Sequence, residues 1–237
     1  MTNLQTNRDS AAMRTILCEL IFLCLTAMES LLLILTKLDQ LVAHVRQNHI
    51  TILLETRVSD LSPLIIHLDT HSKCFHNTVD FQGRRRQGVA IFLHNSLTDL
   101  VHIWKVSDAI QAVWVKICGS VLGVRGQVIL GGIYINPQSS TRKESDIGQM
   151  FSELQLEVSE AQAHCTHLFL MGDFNARLDQ HPDPFVEPFS FLLEDFPQLK
   201  ETRAGQHHDS GMNTAGECLL DIAVFTPLIL TTGRGKG

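Results

Sequence analysis

Short, continuous apolar runs are the sequence feature that most constrains how this chain can fold. Each run has five to eight residues and is followed by a polar residue or a turn former. Amphipathic helices need longer stretches with a repeat of about 3.6 residues, whereas buried strands need only about four to eight residues. We therefore predict strands at Ile50–Leu54, Gly88–His94, Ala112–Cys118, Val128–Ile135 and Thr166–Met171.

Segments with helical spacing lie before and after these strands. Thr36 is suited to cap a helix whose apolar face comprises Leu38, Leu41, Val42 and Val45. Further helices are predicted at 145–164, 189–196 and 216–225, and a last strand at Leu228–Thr231. Three of the strands follow one another between Phe75 and Pro137 as a sheet-building block, and together with the helices they are compatible with a fold of the α/β class.

An apolar segment, Ile16–Leu35, precedes the first of these helices. Its carboxylates, Glu19 and Glu29, would each cost about 2.5 to 3.5 kcal/mol inside a membrane. The stretch between them is shorter than the roughly 20 residues that a membrane span requires. We therefore interpret residues 1–35 as an apolar helical leader and residues 36–237 as the domain. A membrane anchor at 16–35 is the less favoured alternative.

Charge and cysteine usage narrow the class of protein. The formal net charge of −6 and the pI near 6.0 argue against a broadly basic surface that coats nucleic acid. Any DNA contact is expected to be local, and Arg84–Arg86 is the best basic cluster, although a triple Arg is also typical of a solvated turn. The six cysteines form no CxxC pair and the histidines show no zinc spacing. Reduced thiols favour an intracellular location, nuclear or cytoplasmic.

Carboxylate and amide groups stand at the ends of two predicted strands. Glu55 comes after Ile50–Leu54, and Asp173 and Asn175 come shortly after Thr166–Met171. Alternate side chains of an extended segment point to the same side, so Asp173 and Asn175 can serve one site. Mg²⁺ binds through one or two carboxylates and keeps several waters, which suits phosphodiester hydrolysis. Taken singly, each residue is also typical of a solvated loop.

Three stretches give these residues a family context. Ile52-Leu53-Leu54-Glu55-Thr56-Arg57 resembles the "IL(L)QET" strand of the endonuclease/exonuclease/phosphatase family. Gly131–Pro137 is similar to the "VYxxP" segment of that family. Gly172-Asp173-Phe174-Asn175-Ala176 matches its GDFNA motif, which is the most specific of the three.

Four more stretches resemble one branch of that family, the AP-endonuclease-like endonuclease of non-LTR, LINE-type retrotransposons. They are Gly83–Leu93, Trp114–Ile117, Asp209–Asp221 and Leu228–Arg234. The resemblance covers residues 36–237 and implies a four-layer αββα two-sheet sandwich of the DNase-like type. It implies DNA as the ancestral substrate and identifies no protein partner.

The resemblance also implies roles for single residues. Glu55 is a metal ligand, Tyr134 a donor to the scissile phosphate, and Asp173 the residue that orients or activates the attacking water. Asn175 is a donor to the transition state. The implied cofactor is Mg²⁺, with Mn²⁺ as the alternative ion. Tyr134 has a second interpretation, an ordinary strand aromatic. We predict that these four residues cluster at one rim of the sheets.

The sequence departs from the family pattern at both ends of the match. No "WN" pair, whose Asn helps to bind metal in the family, precedes Thr36, and no "SDH" motif follows Arg234. Position 54 is Leu instead of the usual Gln. We therefore expect a sandwich that is incomplete at both ends, and reduced phosphodiesterase activity, since general acid/base transfer contributes about 10² to 10⁴-fold. The alternative is a catalytically inactive, transposon-derived binding module.

Overall fold

The computed structural model of the chain describes eight segments. They are residues 22–24, 40–54, 56, 68–78, 88–107, 109–137, 144–178 and 211–226. The chain divides into two compact units. The first comprises Met1–Ile135 with Glu160–Asp173, and the second Asn136–Ser159 with Phe174–Gly237.

The first unit contains two four-stranded sheets, of which one has the order β1-β2-β4-β3. In this first sheet, β1 (Phe22–Cys24) lies parallel to β2 (Ile50–Leu54). On its other side β2 pairs antiparallel with β4 (Gly88–His94), and β4 pairs antiparallel with β3 (His71–Thr78). The side chains of β2 are buried throughout, as expected of a strand covered on both faces.

The second sheet has the order β5-β6-β7-β8. Its first three strands, β5 (Val101–Ser107), β6 (Gln111–Cys118) and β7 (Gln127–Tyr134), pair antiparallel in succession. The last strand, β8 (His167–Asp173), lies parallel to β7. A parallel neighbour requires a long crossover connection, and here that connection contains a long helix. The ends of β7 and β8 therefore meet at the same edge.

The facing sides of the two sheets form the main apolar core. Ile52 and Ile91 of the first sheet belong to one buried cluster with Val115 and Leu130 of the second. The two sheets approach each other closely at Gly132 in β7, where a Cβ atom would lie 3.2 Å from side-chain carbons of Ile52 and Val89. A larger residue at position 132 would push the two sheets apart.

Helices flank the sheets. The helix α1 (residues 40–46) packs Val42 and Val45 onto the outer face of the first sheet. The last turn of α2 (Glu144–His164) belongs to the first unit, and there Glu160 accepts a 2.8 Å hydrogen bond from Lys105 on β5. The second unit contains α3 (Thr214–Phe225). Two mixed sheets with flanking helices confirm the predicted DNase-like sandwich class. None of the described helices combines the length and apolar character needed to cross a membrane.

Some elements differ from the prediction. Residues 22–24 lie within the segment predicted as a helical leader, but they form strand β1, whose backbone groups pair with the neighbouring edge of β2. The strands β3 and β5 are not among the predicted strands, because polar residues interrupt their apolar pattern. The predicted helix at 189–196 and strand at 228–231 lie outside the described residues. The domain boundary at residue 35 stays a prediction.

Candidate active site at the ends of two parallel strands

The parallel strands β7 and β8 bring two of the predicted site residues together. Tyr134 ends β7, Asp173 ends β8, and the two residues are register partners. The Ile135 amide donates a 2.8 Å hydrogen bond to the Asp173 carbonyl, which continues the pairing past both residues. Neighbouring strands lie about 4.8 Å apart, so the two side chains start from adjacent points on one face of the sheet.

The residue before Asp173 explains how the two strand ends come so close. A Cβ atom on Gly172 would lie 1.8 Å from the carbonyl oxygen of Ile133. That distance is far inside a van der Waals contact, so only glycine permits this approach of the two backbones. The first residue of the GDFNA motif is therefore required by the strand pairing that carries Asp173.

Tyr134 points into the layer between the sheets, and a third polar side chain lies beside it. Tyr134 is 1 % exposed and shares an apolar cluster with Leu54, the last residue of β2. Its antiparallel partner on the side away from β8 is Gln111. We call Gln111, Tyr134 and Asp173 the Tyr134 row. Within the described residues, the Gln111 Oε1 atom is buried and accepts no hydrogen bond.

Glu55 lies outside the described residues, but both of its neighbours are held in place. Leu54 is buried in the core. The Thr56 amide donates a 3.0 Å hydrogen bond to the Gly88 carbonyl. The Thr56 hydroxyl lies 3.1 Å from the His76 Nε2 atom, at hydrogen-bonding distance. The backbone is therefore anchored on either side of position 55, and the role of Glu55 as a metal ligand stays a prediction.

Asn175 belongs to the second unit, so the structure does not group it with the Tyr134 row. It is the one non-glycine residue with a positive φ in the described part of the chain, at 48°. Its carbonyl accepts a 2.9 Å hydrogen bond from the Asn213 side chain. Sequence reasoning did not assign a role to Asn213 or to Gln111. Asn213 could have been noticed, because it lies within Asp209–Asp221, one of the stretches that resemble the retrotransposon branch.

The described residues contain no group of three or more His, Cys, Asp or Glu side chains that could hold a metal ion. A magnesium site has weaker requirements, because one or two carboxylates with several waters are sufficient. Asp173 is the described carboxylate at the Tyr134 row.

A two-sheet α/β sandwich whose parallel strands end in a Tyr and an Asp defines the class of fold and the candidate site. Residues 35–227 match the Endonuclease/Exonuclease/phosphatase family, and the chain belongs to this family. Members of the family generally use divalent metal ions.

Several solved structures have a similar backbone. The human Nocturnin catalytic domain with bound sulfate anion is 14 % identical with a TM-score of 0.45, over 65 % of this chain and 60 % of that chain. Truncated Caenorhabditis elegans TDP2 is 18 % identical with a TM-score of 0.40, over 60 % of this chain and 56 % of that chain. The Bacteroides thetaiotaomicron mannosyl-6-phosphatase Bt3783 is 15 % identical with a TM-score of 0.41, over 60 % and 57 %. The matched region spans less than two thirds of each of these chains. No curated protein sequence matches the chain.

Proposed function

We propose that this chain is a Mg²⁺-dependent phosphodiesterase that acts on DNA, of the type found in non-LTR retrotransposons. The observation that carries the proposal is the register pairing of Tyr134 with Asp173 at the ends of two parallel strands. Both residues lie within motifs that resemble the active site of this family. The pairing gives those motifs a common position on one edge of a sheet.

The donor groups of the Tyr134 row suit a hard divalent cation. They are a carboxylate, a phenol and a carboxamide, with no thiol or imidazole among the three. Mg²⁺ prefers oxygen ligands, whereas thiolates and imidazoles favour softer ions such as Zn²⁺. Asp173 and the predicted ligand Glu55 would hold the ion, and Mn²⁺ is the alternative. When bound, the ion supplies positive charge that stabilises the phosphoryl oxygens.

Each predicted residue has a role in the hydrolysis that its chemistry permits. Asp173 accepts a proton from the attacking water and orients that water toward phosphorus. The Tyr134 hydroxyl donates a hydrogen bond to a phosphoryl oxygen, and the Asn175 amide donates to the charge that develops in the transition state. A new bond from water oxygen to phosphorus forms as the bond to the leaving oxygen breaks, and the leaving oxygen takes up a proton from a solvent water. The products are a phosphomonoester and a hydroxyl.

DNA is proposed as the substrate on the strength of the retrotransposon-like stretches. One of these, Gly83–Leu93, includes most of the buried strand β4, and another, Trp114–Ile117, lies within β6. With a net charge of −6, the chain offers little general attraction for nucleic acid. We therefore expect the affinity to rest on a few local contacts, with a shallow dependence on salt concentration.

A second candidate function is binding without catalysis. It is favoured by one observation: residues 1–49 contain no Trp-Asn pair, and by the resemblance the Asn of that pair helps to bind the metal. Replacement of Gln by Leu at position 54 also removes a polar neighbour from Glu55. In this case the Tyr134 hydroxyl would still donate a hydrogen bond to a phosphate group of the DNA, but water would not be activated.

The experiment that tests the proposal is nicking of supercoiled plasmid DNA by the full chain in Mg²⁺. Asp173→Ala and Glu55→Ala are compared with Asp99→Ala, which changes an exposed carboxylate in the turn after β4. We expect weak nicking by the unmodified chain and by Asp99→Ala, in line with the reduced activity that the departures from the family pattern predict, and a further loss of about 10² to 10⁴-fold in Asp173→Ala. EDTA should abolish all nicking.

The controls separate the two candidate functions. Nicking that survives Asp173→Ala would come from a contaminating nuclease and would contradict the proposal. A chain that binds DNA, does not nick it in Mg²⁺ or Mn²⁺, and unfolds cooperatively would support binding without catalysis. Unfolding curves of all variants exclude misfolding as the cause of lost activity.

A further inference from the structure

The loop that follows β8 is fastened to the start of α3 by one side chain. Asn213 is the N-cap residue of α3, and its Oδ1 atom accepts a 2.8 Å hydrogen bond from the Gly216 amide. The same oxygen accepts a 2.9 Å hydrogen bond from the Arg177 amide. The Nδ2 group of Asn213 donates a 2.9 Å hydrogen bond to the carbonyl of Asn175. One carboxamide thus links the cap of a helix to a loop 38 residues earlier in the chain.

The backbone of Asn175 needs such support. Its φ of 48° lies in the left-handed region, which Asn adopts more readily than most residues but still at an energetic cost. Conformations of this kind persist only where the surroundings hold them. The bond from the Asn213 Nδ2 group to the Asn175 carbonyl is a restraint of this kind, since it fixes the direction of the peptide that follows Asn175.

Gly216 completes the contact. A Cβ atom at position 216 would lie 2.0 Å from the Arg177 carbonyl oxygen, so a side chain there would push the loop away from α3. The Asn213 amide also donates to that carbonyl, at 3.3 Å. The pattern Asn213-Thr214-Ala215-Gly216 therefore combines the group that binds the loop with the space that admits it. We call Asn213, Gly216 and the loop residues Asn175–Arg177 the Asn213 clamp.

We propose that Asn213 is a positioning residue for Asn175, so that the GDFNA and Asn-x-x-Gly motifs operate as one unit. This inference rests on the proposed function, in which Asn175 donates a hydrogen bond in the transition state. Asn213 holds the backbone at 175 in the conformation that sets the direction of the Asn175 side chain. Loss of the restraint should lower the rate of the chemical step and leave substrate binding nearly unchanged.

Asn213→Asp isolates the bond to Asn175 from the helix cap. Asp keeps an oxygen that can accept from the Gly216 and Arg177 amides, and it caps helices about as well as Asn. It has no N–H group, so its second oxygen would face the Asn175 carbonyl without a proton between them. Asn213→Ala removes all three bonds and serves as the variant with the larger structural effect.

The test measures amide hydrogen exchange and nicking kinetics on the full chain. In Asn213→Asp we expect faster exchange in residues 174–178, unchanged exchange in α3, and an unchanged unfolding midpoint. We expect kcat to fall by up to about 10²-fold, the loss that a misplacement of about 1 Å can cause, with KM nearly constant. In an Asn175→Ala background, Asn213→Asp should have no further effect on kcat, because the positioned side chain is already gone.

The outcomes separate this inference from the proposed function. Exchange in residues 174–178 that matches the unmodified chain would overturn the clamp, whatever the activity. Faster exchange with unchanged kcat, or a kcat effect that persists in the Asn175→Ala background, would overturn positioning. If the unmodified chain does not nick DNA, the proposed function fails and the catalytic part of this inference fails with it, while the exchange measurement still decides whether the clamp exists.

Discussion

Two polar clusters of the first unit differ in how completely their hydrogen bonds are made. At one end of the first sheet, His49, His71 and His94 form a histidine cluster, with ring centroids 5.3 Å apart for His49 and His94 and 5.4 Å for His71 and His94. Both ring nitrogens of the buried His71 have partners at 2.9 Å, the Thr70 hydroxyl and the Asn48 carbonyl. In the Tyr134 row of the second sheet, the buried Gln111 Oε1 atom has none within the described residues.

This difference in hydrogen bonding separates polar groups that stabilise the fold from polar groups that lower its stability. A buried, fully bonded ring such as that of His71 joins two segments and stabilises them. A buried acceptor without a partner lowers stability, because its hydration is lost and not replaced. Within the described residues, the His71 ring therefore contributes to stability, whereas the Gln111 carboxamide of the Tyr134 row lowers it.

We expect the largest loss of stability from a substitution that separates β7 from β8 within the Tyr134 row. In Gly172→Ala the new methyl group would lie 1.8 Å from the Ile133 carbonyl oxygen, so β8 must move away from β7. Overpacking of this kind costs about 1 to 3 kcal/mol and occasionally more. We expect a fall in the free energy of unfolding at the upper end of that range, measured by urea denaturation. Gly148→Ala in α2 is the control, since a methyl group there would meet no atom of another element within 4 Å. Equal stability of Gly172→Ala and the unmodified chain would refute the close strand pairing.

The next effect concerns pH and the histidine cluster. Burial lowers the pKa of His71 below 6.5, and His94 and His49 lower it further, against the opposing effects of the Asn48 hydrogen bond and Asp69. The unfolded chain therefore binds a proton at a higher pH than the folded chain does. Stability from this group is complete above about pH 6.5 and is lost as the pH falls toward the lowered pKa, by at most about 1.4 kcal/mol per pH unit.

Urea denaturation between pH 7.5 and pH 5 measures this loss. Because the chain has 12 histidines, the comparison must be with His71→Gln, which removes one titrating ring and leaves the others. The difference in unfolding free energy between the two proteins should change with pH below about 6.5 and be constant above it. Parallel curves over the whole range would show that His71 is not buried in its neutral form.

The smallest expected effect is a gain in stability on substitution of Gln111 in the Tyr134 row. Gln111→Leu replaces a buried acceptor, which has no partner among the described residues, with an apolar side chain of similar size. The free energy of unfolding should therefore rise by about 1 kcal/mol. Gln127→Leu, at an exposed position in β7, should leave stability within about 0.5 kcal/mol. A loss of stability in Gln111→Leu alone would mean that the Gln111 carboxamide is bonded in solution, and the contrast between the two clusters would disappear.

The positions of the central strands could be predicted from local pattern. The predicted bounds of β2 and β4 agree with the structure because buried strands consist of continuous apolar residues, which can be recognised without knowing their neighbours. The strands β3 and β5 and the short β1 could not be recognised in this way. The pairing of each depends on the strand beside it, and β3 and β5 also carry polar residues that a half-covered strand tolerates.

For the candidate site too, the sequence determined some features and only the tertiary structure decided the others. The amino-acid sequence by itself determined the motifs, the family and the residues Tyr134 and Asp173, because local motifs specify which groups stand at strand ends. The tertiary structure alone decided that these two are register partners, that Gln111 lies beside Tyr134, and that Asn213 holds the carbonyl of Asn175. Such contacts join residues far apart in the chain, and they form only when strand pairing and helix capping have closed the long loops between them.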